Sequence, residues 1–290
     1  MLFRSTFSLT ERNLAEFDAL AQKVKDADAI IVVGGISSRL EGEEMPVSYE
    51  GFSGGDRTKI ELPDVQKELL AAMHNTGKPV ILVNCSGSAM GFGDIETQYN
   101  ALLQAWYGGQ AAGLAVADVL FGNYNPAGRL PVTFYKSTDQ LPDFENYDME
   151  GRTYRYFRGE PLYAFGYGLS YTTFEYGNAK LSRQSIKAGK GVKITIPVTN
   201  TGKYDGDEVV QVYVKSLDNP DAPIKSLKGF KRVNIAAGAT TNVTIELESK
   251  AFEFYDPSVD ELAPHAGKYR IMYGSSSNDP DLKTLDLQVI

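Results

Sequence analysis

Ala29-Ile30-Ile31-Val32-Val33-Gly34-Gly35 decides how the first half of this chain is read: a continuous β-branched run that stops at two glycines. A run without polar alternation is the pattern of a buried parallel strand. Upstream, Thr10 to Asp26 carries Leu14, Phe17, Leu20, Ala21 and Val24 at helical spacing, with Thr10 as a cap and Glu11 in the first turn. Downstream, about thirty residues read as a loop holding seven acidic side chains: Glu41, Glu43, Glu44, Glu50, Asp56, Glu61 and Asp64. A second helix is predicted from Pro63 to Met73, with Val65, Leu69, Leu70 and Met73 on one face and Pro63 in its first turn. Val80 to Val83 is the second strand and Ala101-Leu102-Leu103-Gln104-Ala105-Trp106-Tyr107 the third. The small, apolar stretch Gln110 to Leu120 is expected to be a tightly packed helix. Helix and strand alternating in this order predict an α/β fold, a mostly parallel sheet with helices on both faces.

The character changes after Asn123. Residues up to Tyr171 are rich in Gly, Pro, Tyr and Phe and have little periodicity, as expected of a functional segment or one that wraps another domain. Beyond that the period is two. Val192-Lys193-Ile194-Thr195-Ile196-Pro197-Val198, Val209 to Val214, Thr241 to Leu247 and Lys268 to Tyr273 alternate, separated by turn signals such as Asn200-Thr201-Gly202 and Ala236-Ala237-Gly238. Short strands so spaced describe an all-β sandwich. Two domains are therefore expected, 1–174 and 175–290, which 290 residues accommodate.

Composition removes several classes of function. The net charge of −8 repels phosphate backbones, so nucleic acid is not an expected partner. Cys85 is the sole cysteine, so no intrachain disulfide forms; in its apolar run it reads as a small buried hydrophobe. With His74 and His265 the only histidines, no zinc cluster is expected. No stretch reaches the roughly 18 apolar residues of a membrane span. The start, Met1 to Phe7, has no signal-peptide pattern, which leaves either a cytoplasmic protein or a chain that begins inside a longer precursor. Gly34-Gly35 is no phosphate loop, because neither GK[ST] nor GxGxxG is present. Ser86-Gly87-Ser88 is no nucleophile elbow.

Several long motifs in order carry a resemblance. Gly34-Gly35-Ile36-Ser37-Ser38-Arg39-Leu40-Glu41-Gly42-Glu43, then Gly54-Gly55-Asp56-Arg57 and Leu62-Pro63, resemble the second domain of glycoside hydrolase family 3. So do Ala105-Trp106-Tyr107-Gly108-Gly109-Gln110, with Gly108 where the family more often has Pro, and Leu120 to Pro131. Pro161-Leu162-Tyr163-Ala164-Phe165-Gly166-Tyr167-Gly168-Leu169-Ser170-Tyr171 is similar to the family's most recognisable signature. Val198 to Gly202, Gly206 to Val214 and Leu227-Lys228-Gly229-Phe230 are similar to its fibronectin type III-like domain.

The resemblance implies retaining, exo-acting hydrolysis of β-linked glycosides without a cofactor, closest to the β-xylosidase branch with β-glucosidase beside it. Such chemistry uses two carboxyl groups about 5–5.5 Å apart. By resemblance the nucleophile is an aspartate on an N-terminal (β/α)8 barrel, for which this chain has no candidate motif, and the acid/base glutamate aligns with Glu41. The barrel, in cis or in trans, is therefore an implied partner, and the complete enzyme is expected to be periplasmic or secreted. Glu43 is the second choice for the acid/base, because Glu41-Gly42-Glu43 permits a shift of two, and Glu44 the third. Without a covering barrel, Glu41 is expected to be a solvated carboxylate. Asp56 and Arg57 are candidate substrate-binding residues, with a loop-pinning ion pair as the alternative; Arg39 reads as a surface residue. Trp106, Tyr107 and the aromatic run from Tyr154 to Tyr171 read as packing rather than sugar stacking. A non-catalytic carbohydrate-binding module or a structural fragment is the competing reading of the whole chain.

Overall fold

The computed structural model describes residues 14–42, 44–256 and 258–290. The proposed caps Thr10 and Glu11 and the second-choice Glu43 lie outside them. The chain divides into two compact units. The first runs through Ala117 and takes in Phe134–Asp143 and Glu160–Leu162; the second comprises Asp118–Thr133, Phe144–Gly159 and Tyr163–Ile290. Compactness thus groups part of the Gly/Tyr-rich segment with the sandwich, ahead of position 175.

In the first unit, α1 (Leu14–Lys23) leads to β1 (Ile30–Gly35). The expected thirty-residue loop contains a small antiparallel sheet of β2 (Ser48–Tyr49), β3 (Phe52–Ser53) and β4 (Asp56–Arg57). Gly51, Gly54 and Gly55 turn it with positive φ. Then follow α2 (Asp64–His74), β5 (Val80–Cys85), β6 (Ala101–Gln104) and α3 (Ala112–Leu120), whose residues from Asp118 onward are grouped with the second unit. The three longer strands form a parallel sheet in the order β1-β5-β6, in register from Ile30↔Val80 and Ile81↔Ala101. Val65, Leu69, Leu70 and Met73 of α2 are buried, as the helical spacing predicted.

Four expectations are corrected. The β1 run is not buried on both faces: Ile30 and Val32 are buried, but Ile31 and Val33 are 45% and 59% exposed. β1 is an edge strand, and α2 packs against it from the Ile30 side. The third strand ends at Gln104, because Trp106 turns into the left-handed region at φ 56°. And α3, expected to be tightly packed, has no buried residue, with Leu114 66% exposed. Cys85 is half-buried rather than buried, and burial raises its thiol pKa.

Ahead of its strands the second unit contains the short helix α4 (Thr153–Tyr156). The second unit then carries β7 (Phe174–Tyr176), β8 (Lys180–Leu181), β9 (Ser185–Ile186), β10 (Val192–Asn200), β11 (Gly206–Ser216), β12 (Ser226–Ile235) and β13 (Thr240–Leu247). β14 (Glu253–Asp256) and β15 (Glu261–Pro264) form a separate ribbon before β16 (Gly267–Gly274) and β17 (Leu282–Val289). One main sheet runs β13-β10-β7, with β8 also paired to β10; the other runs β12-β11-β16-β17-β9. Alternate residues of β10 (Ile194, Ile196, Val198) and β11 (Val210, Val212) join Ile271 and Val243 in one core. Asn200, fully buried in the Asn-Thr-Gly turn, donates to Tyr204 O (2.8 Å) and Ile235 O (2.9 Å) and accepts from Thr172 Oγ1 (2.6 Å). Most buried polar groups are satisfied in this way. Part of the aromatic run packs within the second unit: Tyr154 stacks on Phe165 at 4.2 Å, and both meet Tyr213 edge-on, while Tyr171 is exposed.

Candidate functional site

The site begins at the carboxyl end of β1. Gly35 has φ 118°, and a Cβ there would stand 2.1 Å from Cys85 O, so only glycine fits. Gln66 of α2, itself buried, locks that glycine by accepting from its N–H (2.8 Å) and donating to its carbonyl (2.6 Å). Ile36 N–H then bonds Cys85 O (2.9 Å), and a turn closed by Leu40 N–H and Glu41 N–H on Ser37 O (2.9 and 3.0 Å) delivers Glu41.

Glu41 is not free in solvent as expected. It is half-buried and accepts three hydrogen bonds. Oε2 takes the Gly87 N–H (3.0 Å) and the Tyr107 hydroxyl (2.9 Å); Oε1 takes the Ser88 hydroxyl. Gly87 allows this close approach, since a Cβ would lie 2.9 Å from Glu41 Oε2 and 2.8 Å from the Tyr107 ring and would displace one of these side chains. Tyr107 is raised well above the ordinary phenol value, first by burial and then by its bond to Glu41 and that carboxylate's charge, with Arg57 opposing.

Arg57, at the end of β4, reaches the same turn. Its Nη1 donates to Ser88 Oγ (2.7 Å) and Ala89 O (2.8 Å), and its Nε to Lys59 O (3.3 Å). Burial lowers its pKa, while the charges of Glu41 and Glu61 raise it. Arg57 does pin the long loop, but through the 86–89 turn rather than through an ion pair with its neighbour. Asp56 is exposed and shares none of these bonds; Glu44 is exposed, with φ 50°.

Behind the turn lies a buried polar chain. Asn84 Nδ2 donates to Gln104 Oε1 (2.7 Å) and Ser86 Oγ (3.0 Å), Gln104 Nε2 donates to Ser86 Oγ (3.1 Å), and the Ser86 hydroxyl donates to Ser88 O (2.8 Å). Asn84 and Ser86 are fully buried. Trp106 is half-buried, edge-on to Phe134 at 6.1 Å, which fits the packing role; Tyr107 is 45% exposed and belongs to the site instead.

Sequence reading missed Ser88 and Tyr107. The signal was available: 86–88 and 105–107 follow the carboxyl ends of β5 and β6, and Glu41 follows that of β1. Ligands of open α/β sheets gather at that end.

A separate cleft of about 420 Å³, lined by Glu50, Phe52, Glu61, Asp64, Lys67 and Asp94 among others, excludes Glu41. Three of its acids are ion-paired, Glu50 with Lys59 (3.1 Å) and Asp64 and Asp94 with Lys67 (2.7 and 2.9 Å). Among the described residues no group of three His, Cys, Asp or Glu side chains is placed to hold a metal ion, and no helix is long and apolar enough to cross a membrane.

Comparison with known proteins agrees with this architecture. The glycosyl hydrolase family 3 C-terminal domain matches residues 8–171 and the fibronectin type III-like domain residues 208–277. The chain is 52% identical over 277 residues to a xylan 1,4-beta-xylosidase of Xylanibacter ruminicola, covering 96% of this chain and 32% of that protein. It is 39% identical to a beta-xylosidase of Formosa agariphila, covering 94% and 37%. The crystal structure of beta-glucosidase from Listeria innocua in complex with glucose superposes with a TM-score of 0.83 at 29% identity, covering 98% of this chain and 39% of that one. The chain thus spans about a third of the length of the relatives it matches. With the first match extending over more than half of its residues, the chain belongs to glycosyl hydrolase family 3, as that family's C-terminal α/β domain followed by a fibronectin type III-like domain.

Proposed function

We propose that this chain is the C-terminal part of a retaining, exo-acting β-glycosidase and carries its acid/base group, Glu41. The observation behind this reading is the position of Glu41: beyond the carboxyl end of a parallel strand, on a loop tied back by Gly87, Ser88 and Tyr107. In the reaction, Glu41 protonates the departing glycosidic oxygen, then takes a proton from the water that hydrolyses the glycosyl-enzyme. The attacking aspartate belongs to an N-terminal (β/α)8 barrel, in cis or in trans. The substrate is a β-linked xyloside ahead of a β-glucoside, a preference supported by the 52% identity to a protein named xylan 1,4-beta-xylosidase. Asp56 and Arg57 stand as substrate-binding candidates; Arg57 engages Ser88 through Nη1 and Lys59 O through Nε, while its buried Nη2 has no hydrogen-bond partner among the described residues.

The 290 residues alone are inactive in this reading, since acid catalysis by one group contributes only about 10²–10⁴-fold. The test is hydrolysis of an aryl β-xyloside and an aryl β-glucoside by the purified chain, with and without the barrel. Turnover that needs the barrel, and that Glu41→Gln lowers by about 10²-fold or more, is expected. Robust turnover by the chain alone, or full activity in Glu41→Gln, overturns the assignment.

A further inference from the structure

We propose that Tyr107 and Ser88 are positioning residues that hold the Glu41 carboxylate in one rotamer, and that they leave Oε1 as the oxygen that exchanges a proton with the substrate. The hydroxyl directions follow from donor counting. Ser88 Oγ carries one proton, and Arg57 Nη1, a pure donor, already occupies one of its lone pairs at 2.7 Å. The Ser88 proton therefore points to Glu41 Oε1. An ionised carboxylate has about four acceptor positions, two on each oxygen. Gly87 N–H and the Tyr107 hydroxyl take both positions on Oε2, and Ser88 takes one on Oε1. The acceptor position left over is on Oε1.

The holders are themselves held. Ser88 sits on the turn braced by the buried Asn84–Ser86–Gln104 chain, whose bonds run from the adjacent ends of β5 and β6. Tyr107 follows Trp106, whose left-handed φ of 56° is costly for a bulky residue and persists where the surroundings fix it. The charged groups that face Tyr107 are Glu41 and Arg57. The loop that carries Glu41 is thereby anchored at three points: Gln66 on Gly35, Arg57 on the 86–89 turn, and the clamp on the carboxylate itself.

The catalytic consequence rests on Glu41 being the acid/base group; the clamp is testable without it. The first measurement is NMR on the 290-residue chain, using side-chain couplings of Glu41 and the Gly87 amide proton followed through acid titration. The expected result is a single set of Glu41 couplings, and a Gly87 amide shift that tracks the Glu41 carboxyl carbon and disappears in Glu41→Gln. In Tyr107→Phe, which keeps the ring and its packing, and in Ser88→Ala, the couplings average over rotamers while the rest of the amide spectrum stays in place. The second measurement is kinetics of Tyr107→Phe in the chain joined to its barrel. A fall in kcat on the order of tenfold at unchanged KM is expected, because a small misplacement of a reacting group costs rate rather than binding.

Rotamer-averaged couplings in the unmodified chain, or a Gly87 amide blind to Glu41, overturn the clamp and leave the glycosidase reading intact. A fixed carboxylate in an enzyme that Glu41→Gln does not slow leaves the clamp standing and removes its catalytic meaning.

Discussion

The two units place a carboxylate in opposite circumstances. In the second, Glu208 on β11 is 1% exposed, paired with Arg129 at 2.6 Å and bonded by the Tyr176 hydroxyl at 2.6 Å. Burial and the Glu208 charge raise the Tyr176 phenol far above its ordinary value. In the first, Glu41 has a comparable number of partners but stays half-buried, with an acceptor position to spare. The sheets around them differ in the same sense. The sandwich closes over a continuous apolar core, whereas the three-stranded parallel sheet leaves Ile31 and Val33 of its first strand exposed. A sealed carboxylate with matched partners serves architecture; a held but reachable one suits proton transfer.

The strongest way to break this comparison is to unseal the second unit. Glu208→Ala leaves Arg129 buried without its anion, and a loss of about 3–5 kcal/mol is expected in denaturant unfolding. Ile196→Ala, at a fully buried site, is expected to cost about 2–5 kcal/mol. A loss below 1 kcal/mol for both would mean that the core is not closed as described. Gln66→Ala comes next: it removes both bonds to Gly35, at about 1–3 kcal/mol, and should show as faster amide exchange at Gly35 and Ile36. Unchanged exchange there would disprove the lock.

A smaller effect is expected from acid. At Glu61 burial raises the carboxyl, but the hydroxyl and N–H of Thr138, both at 2.7 Å, outweigh it, so its folded pKa lies below the ordinary 4.5. Its contribution is therefore fully present above pH 4.5 and is lost as pH falls through the lower folded value. Urea midpoints measured between neutral pH and pH 3 should fall less steeply in Glu61→Gln than in the unmodified chain; equal slopes would remove Glu61 from the account. The smallest effect is Ile31→Thr, within about 0.5 kcal/mol for an exposed edge position. A cost of several kcal/mol would reveal cover over that face and erase the contrast between the units.

Much of this was legible along the chain. The order of the α/β elements followed from the run Ala29 to Gly35 and from helical spacing in Pro63 to Met73. The sandwich strands followed from period two at Val192 to Val198 and Thr241 to Leu247. The order of motifs gave the family, and Glu41 as a candidate. Less legible were the burial of β1, the length of the third strand and the packing of α3. An apolar composition says that a side chain can be buried, not that a neighbour is present to bury it.

The sequence by itself determined what depends on near neighbours: strand and helix periods, the glycines that end β1, and the acidic loop that bears Glu41. Only the tertiary structure decided which groups hold that carboxylate. Gly87, Ser88 and Tyr107 stand 46, 47 and 66 residues away from Glu41, and they meet it because β5 lies beside β1 and β6 beside β5, all parallel with their carboxyl ends together. Strand adjacency is settled by the packing of the whole sheet, and no local pattern at Ser88 or Tyr107 encodes it.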